Sequence, residues 1–484
     1  MTNHCIMQKL IFSVLFSIAS FTAAAKIELP HILGSNMVVQ QNDDLKLWGK
    51  ATPDTRVTVT GSWFKKKVTT KSDKEGNWQL SVRTPEASFT PLSITISDGE
   101  ALTLDNILSG DVWICAGQSN MEMPLSGFNS QPVDNSLDHI LTAGKKRDNL
   151  RFFTVERVRS YDDEKSDCGG EWQVCSPQSA ADFSAVGYFF GNDIAESTGI
   201  PIGLIAADFG DTRVEAWMPL DALREATDEK GFEEKHSNHW CKPSEMYCGI
   251  IAPIRDFKAK GFIWYQGESN RIDYHDYAKL LAKLTERWRK DWGDTSCSMP
   301  FYYVQIAPFI YDGSREISCP LFVEAQTAAL DLIPNSGMAT TTDLGEEYMI
   351  HPSRKAEVGQ RLAALALAQT YGQEGFEAKA PRLISFTTDG NKALLKMDNS
   401  VKGLGPWSHG PLVGFEIAGE DRVFHPAKAH TSDRPCGEIR VWAEEVEKPV
   451  AVRYAFRNFV KGNLQNTFGI PAAPFRTDNW NDVK

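Results

Sequence analysis

Residues 111 to 123, Asp111-Val112-Trp113-Ile114-Cys115-Ala116-Gly117-Gln118-Ser119-Asn120-Met121-Glu122-Met123, set a continuous apolar run directly before a glycine and three polar residues. An apolar run without polar alternation suits a strand buried on both faces, the kind that lies in a parallel sheet under two layers of helix. The glycine and the polar residues then call for a tight turn at the strand's end, and that turn presents one hydroxyl, Ser119. Strand-to-helix turns display nucleophiles well, because the side chain stands clear of the sheet while backbone N–H groups gather beside it. Gly-x-Ser by itself equally describes a serine capping a helix, so the weight rests on residues further along the chain.

From Asp105 to about Gly372 the same logic repeats. Strand patterns are read at Val112–Ala116, Leu150–Val155, Ile202–Ala207, Phe262–Tyr265, Phe301–Ile306 and Met338–Thr342, with helices at Phe183–Ser197 and Asp276–Trp292. In the second helix Tyr277, Leu280, Leu281, Leu284 and Trp288 share one face, and Lys283, Glu286, Arg287 and Arg289 lie off it. Strand then helix, repeated, predicts a parallel sheet with right-handed crossovers, and ligands of such sheets bind at the carboxyl ends of the strands. Ser119 follows one such end.

The flanks have another period. Val57 and Val59, Trp78, Leu80 and Val82, Leu92, Ile94 and Ile96, and Leu102 and Leu104 alternate every second residue, which predicts a small antiparallel β-sandwich over 26–104. Alternation returns at Ala393–Met397, Leu412–Ile417 and Val423-Phe424, so a β-domain is expected over 376–484, ending in a tail across the surface at 469–476. The α/β domain spans 105–375. Residues 1–25 are different again: Lys9, an apolar run from Leu10 to Phe21, then Ala23-Ala24-Ala25, the pattern of a cleaved secretory signal too short to span a bilayer. This predicts a periplasmic or secreted product with no membrane insertion after cleavage.

Export bears on the cysteines. Nine less Cys5 leaves eight, and Cys168 with Cys175, Cys241 with Cys248, and Cys297 with Cys319 are candidate pairs, while Cys115 in the nucleophile strand reads as a buried thiol. His236, His239, Cys241 and Cys248 offer ligand atoms, but their spacing fits no zinc pattern, and no metal or cofactor is expected. A net charge of −12 without any basic run argues against nucleic acid as a partner. No sequence signal bears on oligomeric state.

A serine needs a base. His351, in Ile350-His351-Pro352-Ser353-Arg354-Lys355, is the histidine at a strand-to-helix junction of the α/β region, with Val358, Leu362 and Leu365 opening an amphipathic helix after it. His275 is the rival. Trp264-Tyr265-Gln266-Gly267-Glu268-Ser269-Asn270 also follows a strand; Gln266 and Asn270 are amides able to donate to an oxyanion, and Glu268 is a carboxylate able to orient His351. In Asp208-Phe209-Gly210-Asp211-Thr212-Arg213-Val214-Glu215-Ala216-Trp217, Gly210 permits close approach of a backbone N–H.

Gly-Gln-Ser-Asn-Met-Glu at 117–122, Trp-Tyr-Gln-Gly-Glu-Ser-Asn at 264–270, and Ile-His-Pro with Lys355, Gly359 and Arg361 resemble the SGNH-hydrolase family of sialate O-acetylesterases. The likeness extends through 35–40, 214–217, 247–253 and 474–476, nearly the whole chain beyond the signal. It implies an SGNH-type three-layer α/β sheet with covering helices, flanked by small β-domains. It also implies a metal-free serine esterase that removes O-acetyl groups from sugar hydroxyls, with Ser119 as nucleophile and His351 as base. Its oxyanion hole would come from the N–H of Ser119, the N–H around Gly210 and an amide of Gln266 or Asn270. Two places depart from the family pattern: Asp211 stands where relatives tend to have glycine, and Tyr348-Met349 where they often have Asp or Asn before Ile-His-Pro. The third triad member is therefore open between Glu268, Asp343, Glu347 and a backbone carbonyl, with Glu268 first. Gln118, Asp211, Arg213 and Trp217 are candidate substrate contacts, with Arg213 or Arg271 for a sugar carboxylate and Trp217 for a sugar face. O-acetylated sialic acid is the leading substrate; acetylated xylan or another hemicellulose is the alternative. A non-catalytic glycan-binding protein on an esterase scaffold is the rival of a different class.

Overall fold

Strand Ala101–Gly117 runs through the middle of a sheet ordered Ser336–Ala339, Phe301–Val304, Gly261–Tyr265, Ala101–Gly117, Ile202–Asp208, Leu150–Thr154 and Trp172–Val174 in the computed structural model, which describes residues 27–146, 148–227, 240–406, 410–432 and 437–480. The first six are parallel and Trp172–Val174 closes one edge antiparallel. The expected signal segment, His236 and His239 lie outside the described residues.

Alternate side chains of the central strands feed two cores. Val112, Ile114, Ala116, Phe262 and Trp264 pack with Tyr277, Leu281, Leu284 and Trp288 of helix Tyr277–Asp291 and with Phe322 of helix Ser318–Leu332. Trp113, Cys115, Ile263 and Tyr265 pack with Val186, Phe190 and Ile194 of helix Ala185–Thr198 and with Val358, Leu362 and Leu365 of helix Lys355–Gln369. The result is the three-layer α/β sheet that unbroken apolar strands require. In register, Gly117 lies beside Tyr265 on one side and Asp208 on the other, so three strands end level. Their three following turns share one rim. Gly117 has φ 142°, and a Cβ there would sit 2.1 Å from the Tyr265 carbonyl oxygen, so only glycine fits the last place in the strand.

At the N-terminal side, Arg56–Gly61, Phe64–Lys71 and Ser88–Ser97 form antiparallel strands that reach the main sheet through Ala101–Gly117 itself, and Asp44–Lys50 pairs with Asn77–Arg83. Because Ala101–Gly117 is one continuous strand, position 104/105 falls inside it, and Leu47, Val57 and Ile96 join the same core as Ile114. C-terminally, Arg382–Asp389, Lys392–Asp398, Glu438–Trp442 and Lys428–Thr431 make one antiparallel sheet, and His425–Pro426, Phe415–Ala418, Ala451–Tyr454 and Phe475–Arg476 a second. The segment expected as a surface tail differs from that expectation. Thr340 and Thr342 hydroxyls donate to the carbonyls of Pro471 and Ala472, Ala472 is fully buried, and Phe475–Arg476 is a strand.

The candidate disulfides are not formed among the described residues: Cys168 and Cys175, Cys241 and Cys248, and Cys297 and Cys319 are not bonded to one another, Cys115 is a buried thiol, and Cys436 lies outside the described residues. Cys168 and Cys175 belong to cores on opposite faces of the sheet, which sequence proximity conceals. Burial pushes the thiols of Cys168, Cys175, Cys241 and Cys319 up to about 12, as befits small apolar packing groups.

Candidate active site

Ser119 opens a single helical turn, Ser119–Glu122, straight after the central strand, and its N–H, like that of any first-turn residue, has no carbonyl one turn earlier to bond. His351 stands in the loop before helix Lys355–Gln369. Residues 232 apart in sequence meet there: Ser119 Oγ lies 2.8 Å from His351 Nε2. The second ring nitrogen, Nδ1, lies 2.6 Å from Oε1 of Gln131, and Phe128 packs edge-on to the ring with centroids 5.3 Å apart. An amide oxygen only accepts, so Nδ1 carries the proton and Nε2 faces the hydroxyl as an acceptor. Burial first, and the Lys355 charge second, push the His351 pKa down to about 4.

The carboxylate expected to orient His351 is engaged elsewhere. Glu268 Oε1 accepts from Asn120 Nδ2 at 2.5 Å, and burial raises its pKa. Asp343 is held by Arg361 through two hydrogen bonds of 2.7 Å each, and the Glu347 carboxylate accepts from the hydroxyl of neighbouring Tyr348. Gln131 takes the place on the imidazole expected of a carboxylate. His275 is exposed and lies against Tyr274, with ring centroids 4.0 Å apart.

The expected oxyanion donors divide in the same way. Gln266 and Asn270 are buried and serve the scaffold: Gln266 Nε2 donates to Thr212 O and to Asn270 Oδ1, and Asn270 Nδ2 donates to Glu215. A buried amide must satisfy its hydrogen bonds within the protein, and here that ties the 208–217 turn to the 266–270 turn. The Gly210 N–H is beside Ser119, since a Cβ at Gly210 would be 3.5 Å from Ser119 Cβ, but it donates to Glu122 Oε2 at 2.6 Å. Arg157 lies 3.7 Å from the other Glu122 oxygen and holds Asp208, whose pKa burial pushes up to about 6 against the Arg157 charge.

Of the expected substrate contacts, Asp211 alone is exposed; it has φ 55° and accepts from the Ser269 hydroxyl at 3.2 Å. Gln118 is buried and its Oε1 accepts from the Gly267 N–H at 3.1 Å. Trp217 is fully buried, with Nε1 on Thr212 Oγ1 and its ring edge-on to Trp264, so it offers no face to a sugar. Arg213 is buried between Glu215 and Asp273, at 3.2 and 2.6 Å. Arg271 likewise pairs with Asp312 at 2.9 Å.

Four residues around the pair, Glu122, Lys355, Asn120 and Gln131, are given no role by sequence reasoning, although the first three lie in the quoted motifs. Glu122 sits three places after Ser119 in the same helical turn, and Lys355 is the first residue of the helix that follows the His351 loop. Asn120 is inside the 117–122 motif. For Gln131 no motif spacing exists; a loop from 124 to 135 carries it to the imidazole. Among the described residues no group of three or more His, Cys, Asp or Glu is placed to hold a metal.

A helix-covered parallel sheet whose carboxyl edge brings a serine hydroxyl to an unprotonated imidazole nitrogen has the build of a serine esterase of the α/β class. The family model described as carbohydrate esterase, sialic acid-specific acetylesterase matches residues 109–368. The chain belongs to that family, and it is a carbohydrate esterase. It is 27% identical over 454 residues to the sialate O-acetylesterase of Mus musculus, covering 80% of this chain and 82% of that one. It is 28% identical over 404 residues to the sialate O-acetylesterase of Homo sapiens, covering 75% of each. Among solved structures, a carbohydrate acetylesterase from Xanthomonas citri superposes with a TM-score of 0.83 at 34% identity, over 94% of this chain and all of that one.

Proposed function

We propose that the enzyme removes O-acetyl groups from sugars through an acetyl-serine intermediate at Ser119. The observation that carries this is the 2.8 Å contact between Ser119 Oγ and His351 Nε2. Oγ attacks the acetyl carbonyl carbon as Nε2 takes its proton; the proton then passes to the departing sugar oxygen, releasing the alcohol. Water, deprotonated by the same nitrogen, attacks the acetyl-serine carbonyl; the C–Oγ bond breaks, the proton returns from Nε2 to Ser119 Oγ, and acetate leaves. Gln131 holds the tautomer that leaves Nε2 unprotonated. The Ser119 N–H and, once Glu122 gives way, the Gly210 N–H receive the oxyanion. The low His351 pKa supports a base that is neutral at ordinary pH.

O-acetylated sialic acid is the leading substrate, supported by the names of the mouse and human relatives. A neutral acetylated hemicellulose is the second reading, favoured by one observation: Arg213 and Arg271, the arginines suited to a sugar carboxylate, are already paired with carboxylates. Export through the 1–25 segment belongs to the same proposal; among the described residues no helix is long and apolar enough to cross a membrane. Hydrolysis of a chromogenic acetate by the parent protein and its loss in Ser119→Ala test the mechanism. Acetate release from O-acetylated sialic acid set against acetylated xylan tests the substrate, and equal inertness of parent and variant would favour the glycan-binding alternative.

A further inference from the structure

Asn120, Glu268 and Lys355 each belong to or follow one of the motifs that carry the site, and they meet beneath it. Asn120 Nδ2 has two hydrogens and uses both, one on Glu268 Oε1 and one on the backbone carbonyl of Ile350 at 3.1 Å. Asn120 Oδ1 accepts from Lys355 Nζ. Asn120 and Lys355 are at 0% exposure, Glu268 is half-buried with its Oε2 shut away from water, and Lys355 Nζ also lies 5.6 Å from the centre of the Tyr265 ring. Asn120 is the residue after Ser119, and Ile350 the residue before His351. The two catalytic turns come from segments more than two hundred residues apart, joined by the Ser119–His351 hydrogen bond and by the bonds of the Asn120 amide.

We propose that Asn120, Glu268 and Lys355 form a clamp that holds the nucleophile turn to the histidine turn, so that Glu268 and Lys355 are positioning residues acting through Asn120. The polarity of the clamp is set by its ends. Lys355 requires the acceptor side of the amide and Glu268 the donor side, so the carboxamide cannot rotate by half a turn without setting donor against donor and acceptor against acceptor. With the amide fixed, its second hydrogen is fixed on Ile350, and the loop bearing His351 is drawn to the helix bearing Ser119. Burial pushes the Lys355 pKa down and the Glu268 pKa up, and each charge opposes the other's shift. The pair is therefore balanced only while both members remain, because removing one leaves a desolvated charge without its counterpart. Glu268 Oε2 has no hydrogen-bond partner, so beyond its own backbone N–H the carboxylate is stabilised by Asn120 and by the Lys355 charge.

Lys355 has a second effect through the same placement. The charged groups around His351 are Lys355 and Arg354 at the helix start, Glu346 on the preceding loop, whose carboxylate takes the Ser353 N–H at 2.7 Å, Glu268 across the clamp, and Asp134 on the loop that carries Gln131. Lys355 is the one whose charge depresses the imidazole.

The clamp rests on Ser119 and His351 being the catalytic pair, so the test includes both. Ser119→Ala, Asn120→Asp, Glu268→Gln, Lys355→Met and the Glu268→Gln/Lys355→Met double variant are assayed on a chromogenic acetate, with melting curves recorded for each. Asn120→Asp keeps the shape of the side chain but loses both donors. It, Glu268→Gln and Lys355→Met should each lower kcat about thirtyfold or more with KM within about twofold. The double variant should be no more than about threefold worse than the worse single, because the two residues act as one unit. In Lys355→Met the acid limb of kcat/KM should move up toward the ordinary histidine value of about 6.5. Losses that multiply in the double variant, losses confined to KM, or three single variants within threefold of the parent would overturn the clamp. If Ser119→Ala is inert while the clamp variants are parental, the clamp alone falls; if Ser119→Ala is as active as the parent, the catalytic pair falls with it. Should a single variant show no cooperative melting, the uncharged double variant decides: a folded double with parental kcat refutes the proposal, and a folded double with lowered kcat at parental KM upholds it.

Discussion

His351 shows how far one residue's role depends on what surrounds it. With its pKa pushed down to about 4, the imidazole is neutral through the range in which most esters are assayed, so the acid limb of kcat/KM should fall near pH 4 and not near 6.5. A pH–rate profile on a chromogenic acetate reads this directly. The linkage has a stability counterpart. The unfolded chain takes up the histidine proton as pH drops through about 6.5 while the folded chain does so only near 4, so this group's contribution is whole above 6.5 and is lost as pH falls toward 4. Gln131 permits a sharper test. Gln131→Glu puts a negative charge against Nδ1 and should raise the acid limb, whereas Gln131→Ala should leave it low and reduce kcat by roughly tenfold through loss of orientation.

The decisive element is the strand Ala101–Gly117. It is seventeen residues long, it joins the antiparallel N-terminal strands to the parallel sheet, and it ends at the nucleophile turn. Its last residue permits no side chain: Gly117→Ala would meet the Tyr265 carbonyl at 2.1 Å in a backbone conformation that costs a substituted residue on the order of 1–3 kcal/mol before any clash is counted. Urea unfolding of Gly117→Ala should show a loss at least that large, with activity reduced further because the Ser119 turn shifts with the strand. Strand and helix positions within this region are legible from periodicity, since fully buried strands and one-sided helices impose different spacings on apolar residues. Helix Tyr277–Asp291 lies inside the predicted 276–292 because its apolar face is continuous. The edge strand Trp172–Val174 is not legible, being three residues long and too short to show a period.

At the scale of the whole molecule, the described cysteines other than Cys297 pack in the apolar cores, and no disulfide joins any two of the described cysteines. Addition of dithiothreitol should therefore leave the melting temperature unchanged, and a fall would reveal a disulfide absent among the described residues. The C-terminal strap is a different matter: Pro471, Ala472 and the Arg476–Glu324 ion pair join the last β-sheet to the α/β core, so truncation after Phe468 should lower the melting temperature by several degrees. By itself the sequence determined the layered sheet, the turns that follow its strands, and Ser119 and His351 as residues on those turns, because apolar periodicity and turn chemistry are local and are written in neighbouring residues. Tertiary structure alone decided which polar groups face one another: Gln131 and not Glu268 on the imidazole, Glu122 on the Gly210 N–H, Arg213 and Trp217 withdrawn into the core, Cys168 parted from Cys175 by the sheet. Those pairings are chosen when buried donors, acceptors and charges from distant segments must satisfy one another away from water, and no spacing along the chain encodes that choice.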